Sequence, residues 1–218
     1  MSDQEYLERS ELAHALRGCS ICDLRKTIQS PVPGEGPKDS LIVSIARSPG
    51  KDDDRRGRPF LGSSGEVFGE CLQVLGLRRE DMGLLNTISC FTTRPDNRRP
   101  TSEELYNCRP WREQQLSWFH RKLIVLAWGR EAVEAVYGGV DRMTDIVGQV
   151  FNPCVAPDRG GIKDWVVIPL WHPAYLMRNA KTKRMFRDEL GIQVGEKISG
   201  ILKGGIPGRG EVQGELFK

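Results

Sequence analysis

The sequence predicts an α/β protein, a three-layer α/β/α sandwich around a central parallel sheet of four strands. Three observations predict it. Four short apolar runs, at residues 41–46, 82–88, 123–128 and 166–170, are continuous rather than alternating, as strands covered on both faces are. Segments with apolar residues at helical spacing lie between them, the alternation that winds a parallel sheet. A chain of 218 residues can bury one sizeable core but is short for two, so one domain over 1–218 is expected, with its core at 19–200 and a loose tail at 201–218.

Residues 5–16 carry Tyr6, Leu7, Leu12, Ala13 and Leu16, a short amphipathic helix that delivers the chain to Cys19. Residues 27–39 hold three prolines and two glycines and read as a loop. The first strand stops at Arg47-Ser48-Pro49-Gly50. From Ser64 to Leu77, Val67, Phe68, Cys71, Leu72, Val74 and Leu75 recur at helical spacing, and Gly76 stands where a C-cap would. After the second strand and an arginine-containing loop, Thr101 and Glu104 form a capping box for a helix running to about Trp118. Gly129 turns the third strand into a short helix over 131–137. In such sheets ligands bind beyond the carboxyl ends of the strands, so the loops after Ala46, Ile88 and Leu170 are where chemistry is expected.

The formal net charge is +3, from 32 basic and 29 acidic side chains, which excludes a histone-like field and leaves only local basic patches. Candidates are Arg55-Arg56-Gly57-Arg58, residues 94–99 and residues 181–187. The start of the chain lacks a signal-peptide pattern, and no apolar run reaches the roughly 20 residues of a membrane helix. A cytoplasmic protein without a membrane partner is expected. Its six cysteines then read as metal ligands or buried thiols rather than disulfides. Cys19 and Cys22 form a C-x-x-C pair, with Cys90 and Cys108 far downstream, a set that suits zinc or a cubane iron–sulfur cluster equally by spacing. Cys71, on a helix core face, and Cys154, in a loop, read as incidental thiols.

Several segments together carry a family likeness. Pro49-Gly50, Asp53-Asp54, Gly57-Arg58-Pro59-Phe60-Leu61-Gly62 and Gly65 form one block. Asn86, Cys90, Asn97 to Thr101, Glu103-Glu104 and Cys108 form a second, and His172-Pro173-Ala174-Tyr175-Leu176-Met177-Arg178 closes the series. In this order they resemble the uracil-DNA glycosylase superfamily, in its four-cysteine iron–sulfur branch, from Cys19 to about Leu190.

That resemblance implies the uracil-DNA glycosylase fold, a structural 4Fe-4S cluster on Cys19, Cys22, Cys90 and Cys108, and a monomer acting on DNA that contains uracil or a modified base. It implies extrusion of the nucleotide and cleavage of its N-glycosidic bond for base-excision repair. Ala46 would lie where backbone approaches the base, and Phe60 would stack on it. The Asn86 amide would read the base edge, and His172 would stabilise negative charge on the departing base. Tyr175, Leu176, Met177 and Arg178 would enter the DNA, the apolar ones as a wedge.

One position departs. The family usually carries Gly-Glu-Ala-Pro-Gly after the first strand, where this chain reads Ala46-Arg47-Ser48-Pro49-Gly50. Cleavage passes through a cationic, oxocarbenium-like sugar, which a carboxylate favours and a guanidinium opposes by several kcal/mol in a dry site. Nor can arginine serve as a general base, because it keeps its proton. Three outcomes follow: Asp53 or Asp54 supplies the carboxylate, or Arg47 turns outward to a phosphate, leaving a slower glycosylase; the pocket takes another base or chemistry; or the protein binds DNA without cutting it. Ala46 in place of glycine narrows the pocket by a methyl group, and Phe91-Thr92-Thr93 stands for the usual Arg-Pro-Pro.

Overall fold

The computed structural model describes residues 5–92, 98–140, 142–152 and 165–205; Met1 to Gln4, Cys154, residues 94–97 of the second basic patch and the tail beyond 205 lie outside the described residues. All four expected strands are present: β1 (Ile42–Ala46), β2 (Gly83–Asn86), β3 (Ile124–Trp128) and β4 (Val166–Leu170). They pair in parallel in the order β2-β1-β3-β4. β2 is shorter than the apolar run predicts because its end leaves regular pairing. There Thr87 N donates to Ala46 O at 2.8 Å and Ile88 N to Arg47 O at 3.3 Å.

Strand residues alternate between two apolar layers. Ala46, Leu84, Ile124, Leu126, Trp128, Ile168 and Leu170 face the layer of α3 (Gly62–Leu75), α6 (Pro173–Arg178) and α8 (Gly191–Gly204). Val43, Ile45, Leu85, Val125, Ala127 and Val167 pack with Leu7, Phe119, Ala132 and Val133 on the other face. There lie α1 (Glu11–Arg17), α4 (Ser102–Trp118) and α5 (Arg130–Val136). This is the three-layer sandwich. Burial on both faces explains why the strands read as unbroken apolar runs. The one polar residue inside β1, Ser44, accepts from Trp128 Nε1 at 3.0 Å, so its burial leaves no orphan.

The expected 5–16 helix divides into a 3₁₀ turn, Leu7–Arg9, and α1, because Ser10 is extended and its Oγ caps α1 by accepting from Ala13 N at 3.2 Å. α3 ends at Gly76, which takes the left-handed conformation at φ 70°. α4 starts on the Thr101–Glu104 capping box. Two features go beyond the sequence reading. α2 (Lys51–Arg56) is a short helix with acidic residues in its first turn, where they favour the helix dipole. α7 (Ala180–Met185), a π turn at Phe186–Leu190 and α8 continue the chain, with Val194, Ile198 and Ile201 turned into the core. No helix among the described residues is long and apolar enough to cross a membrane.

Candidate functional site

In the order β2-β1-β3-β4 the chain winds outward in both directions from β1 and β3, and the crevice beyond their carboxyl ends is where such sheets bind ligands. Ala46 and Asn86 are paired across β1 and β2 at their tips. Thr87 ties the two loops together, its Oγ1 donating to Ala46 O at 3.0 Å and also to Arg47 O. Beside this fixed backbone, Asn86 is 5 % exposed, and its Nδ2 is buried with no hydrogen bond among the described residues. A buried amide donor without a partner costs about 1–3 kcal/mol, so its retention points to a ligand.

Phe60 is the one non-glycine residue with positive φ among the described residues, at 58°. Such backbone costs about 1–3 kcal/mol and persists only where neighbours over-determine it. Here they do. Asp53 accepts from Leu61 N at 2.6 Å and from Gly50 N at 2.8 Å. From the other side Arg79 donates to Phe60 O at 3.0 Å and Pro59 O at 2.6 Å, while Glu35 holds Arg79 at 2.5 Å and Arg58 at 2.8 Å. Gly65 completes the clamp, since a Cβ there would stand 2.3 Å from Phe60 O. The Phe60 ring leans on Phe68, centroids 4.3 Å apart, and shares an apolar cluster with Ala46.

Asp53 and Asp54, expected as candidate reacting carboxylates, both accept from backbone N–H groups in this geometry. Burial pushes the Asp53 carboxyl up, and the backbone donors of Gly50 and Leu61 pull it back down; both oxygens serve the loop. Asp54 accepts from Gln29 N at 3.1 Å. Arg58 of the first basic patch pairs with Glu35.

His172 caps α6 directly after β4. Its Nδ1 accepts from Ala174 N at 3.1 Å, which assigns the proton of the neutral ring to Nε2. Burial, then the charges of Arg47 and Arg178, lowers its pKa to about 4, so the ring is a neutral donor near pH 7. Gly129, at φ 93°, lets the tip of β3 pass close by, since a Cβ on it would lie 3.2 Å from His172 Cβ.

A cleft of about 710 Å³ opens at these tips, and its walls include Arg47, Arg99, Glu131, His172, Tyr175 and Arg178. Burial lowers the pKa of the Arg47 guanidinium, with Glu131 opposing and Arg99 and Arg178 reinforcing the shift. Arg47 therefore faces this cleft and its charges. Ala46, Phe60 and Asn86 are buried and do not line this cleft. The wedge expected of 175–177 is corrected: helical periodicity in α6 turns Leu176 fully into the core, while Tyr175 and Met177 are 42 % and 45 % exposed. Arg178 is exposed beside them. Sequence reasoning missed Glu131, Arg130 and Arg142, all on the cleft wall. The signal was available, since Gly129 ends a buried strand and so places Arg130 and Glu131 at a strand tip.

The four cysteines come from separate elements. Cys19 follows α1, Cys22 starts a 3₁₀ turn, Cys90 follows β2 and Cys108 lies in α4. Cys22, Cys90 and Cys108 pack with Leu24 and Ile88 in a small cluster of their own. Burial first, and then the charge of the neighbouring thiols, pushes Cys90 up, with Cys108, Cys22 and Cys19 all contributing. Cys108 is raised by burial and by Cys19, although Ser89 N donates to its Sγ at 3.3 Å. Among the described residues no three His, Cys, Asp or Glu side chains are arranged to hold a metal ion. Cys71 is the buried thiol its helix position predicts, pushed up to about 12 by burial.

Comparison with known proteins adds to this geometry. The family profile described as "Uracil DNA glycosylase superfamily" matches residues 33–190. The chain is 31 % identical over 179 residues to the Type-4 uracil-DNA glycosylase of Archaeoglobus fulgidus, covering 82 % of this chain and 88 % of that protein. It is 33 % identical over 172 residues to the Type-4 enzyme of Thermotoga maritima, covering 77 % and 82 %. To the Type-5 uracil-DNA glycosylase of Thermus thermophilus it is 32 % identical over 117 residues, 49 % of this chain and 53 % of that protein.

Proposed function

Since the chain belongs to the uracil-DNA glycosylase superfamily, we propose that it is a uracil-DNA glycosylase of base-excision repair, which extrudes deoxyuridine from DNA and hydrolyses its N-glycosidic bond. One observation carries the reading to the residue level: Asn86 keeps a buried amide donor with no partner among the described residues, at the β2 tip beside Ala46. An amide held in one orientation donates to uracil O4 and accepts from N3–H, while cytosine offers the reverse pattern. Phe60, held by its clamp, stacks on the extruded base.

The bond from C1′ to N1 breaks with its electron pair going to the base, leaving an oxocarbenium sugar and a uracil anion. His172, neutral and protonated on Nε2, donates to the anion at O2, and the Arg47 cation favours the same negative charge. Water then adds to C1′, its proton is released, and uracil and an abasic site result. Tyr175, Met177 and Arg178 contact the DNA around the vacated position.

Cys19, Cys22, Cys90 and Cys108 would hold a 4Fe-4S cluster as a structural tie between α1, β2 and α4. The donor set fits by type and neighbourhood, since Cys22, Cys90 and Cys108 share one cluster, Cys19 is near enough to act on Cys90 and Cys108, and four cysteine thiolates are the ligands such a cluster takes. The protein is read as one domain over 1–218, monomeric and cytoplasmic.

An oligonucleotide with a single uracil, treated with alkali after incubation, reports the activity as strand scission. No scission with uracil or with a panel of modified bases overturns the reading. Arg47 in the cleft motivates the second reading, a DNA-binding homologue without turnover. It predicts affinity for uracil DNA, no scission, and no gain of scission on Arg47→Glu.

A further inference from the structure

We propose that Glu131 is the catalytic carboxylate of this site, set against the cationic sugar in the place of the acid that position 47 lacks. The inference rests on the glycosylase reading and concerns how the reaction is electrostatically possible. Heterolysis puts positive charge on C1′ and the ring oxygen, and the cleft wall carries Arg47, Arg99, Arg130, Arg142 and Arg178. Guanidinium groups alone would oppose that charge. Glu131 is the sole acidic residue on the wall among the described residues. Asp53 and Asp54 are engaged by backbone N–H groups elsewhere.

Its position and state suit the task. Glu131 lies two residues beyond Gly129, whose backbone abuts His172, and its charge acts on Arg47. Arg99 Nε stands 3.1 Å from Oε1, yet the approach completes no hydrogen bond, so this buried oxygen has no donor among the described residues. A carboxylate with an unfilled acceptor in a reaction cleft can orient the attacking water. As the water oxygen bonds to C1′, its proton passes to the carboxylate, and thence to solvent, while the N1 electron pair has already left with uracil.

The test compares wild type, Glu131→Gln, Glu131→Asp and the double variant Arg47→Glu/Glu131→Gln in single-turnover and steady-state base release on uracil DNA. The expected result is a fall in kcat of about 100-fold or more for Glu131→Gln with KM within a few-fold, a smaller loss for Glu131→Asp, and recovery of at least about tenfold in the double variant. A helix-stabilising role would move the melting temperature and would not be rescued from position 47. Should Glu131→Gln fail to fold, the kcat loss of Glu131→Asp at unchanged KM decides in its place. Active wild type with Glu131→Gln within about threefold of it overturns the assignment and leaves the glycosylase reading standing. Wild type that releases no base overturns both.

Discussion

The β1–β2 tips and the β3–β4 tips are built from different materials. The first is neutral, buried and fixed by backbone: Ala46, Phe60 and Asn86 are each under 9 % exposed, and Asp53, Arg79 and Thr87 tie down the loops that carry them. The second is an open, charged wall in which His172, Glu131 and several arginines act on one another through side chains. The difference teaches how the work divides. Shape and hydrogen bonding that must choose one base belong on rigid backbone, whereas stabilisation of developing charge depends on which charges meet in the cleft. Arg47 stands at the β1 tip but lines the charged cleft of the second half, where a charge at another position can replace the one lost.

The comparison can be broken by substitutions on either side. The largest effect is expected for Asn86→Leu, which removes the base-reading amide and should lower kcat/KM by about 10³-fold or more. The same change should raise stability by about 1–2 kcal/mol, because an unpartnered buried donor goes with it; equilibrium unfolding and base release on one preparation measure both. Loss of stability together with activity would mean that Asn86 is structural.

In the other half, His172→Gln should cost about 10²-fold in kcat with little change in KM. It should also flatten a pH dependence. The folded-state pKa is about 4, below the unfolded value near 6.5. Between these the unfolded chain binds the extra proton, so wild-type stability falls as pH drops from about 6.5 to 4, by at most about 3 kcal/mol. Urea unfolding across that range should show the slope in wild type and lose most of it in the variant.

Smaller effects sharpen the division. Arg79→Ala should leave the Phe60 carbonyl and Glu35 under-held, raising KM about tenfold and costing about 2 kcal/mol of stability, with kcat nearly unchanged. Met177→Ala, on an exposed side chain, should weaken binding to uracil duplex by only a few-fold in a fluorescence titration and leave unfolding untouched.

What was legible in the sequence follows the same division. The four strands, the α4 capping box and the Gly76 C-cap are local signals, and each appears where the spacing puts it, within a residue or two. Gly65 and Phe60 were legible as a motif, but their cause was not. Glu35 and Arg79 meet across 44 residues of chain, a pairing that no local pattern encodes. α2 escaped notice because its six residues carry no apolar stripe. Leu176 was misread as a wedge because a motif gives order along the chain without saying which face a helix buries. Glu131 escaped because the loop after β3 was not counted among the reactive tips, although the topology puts it beside β1.

The most direct test is a crystal structure of the protein bound to DNA carrying a non-cleavable deoxyuridine analogue. The expected result is an extruded uracil with Phe60 against its face, Asn86 Nδ2 within hydrogen-bond reach of O4 and His172 Nε2 facing O2. A base left in the helix, or held elsewhere while Asn86 Nδ2 pairs with protein, would contradict the account.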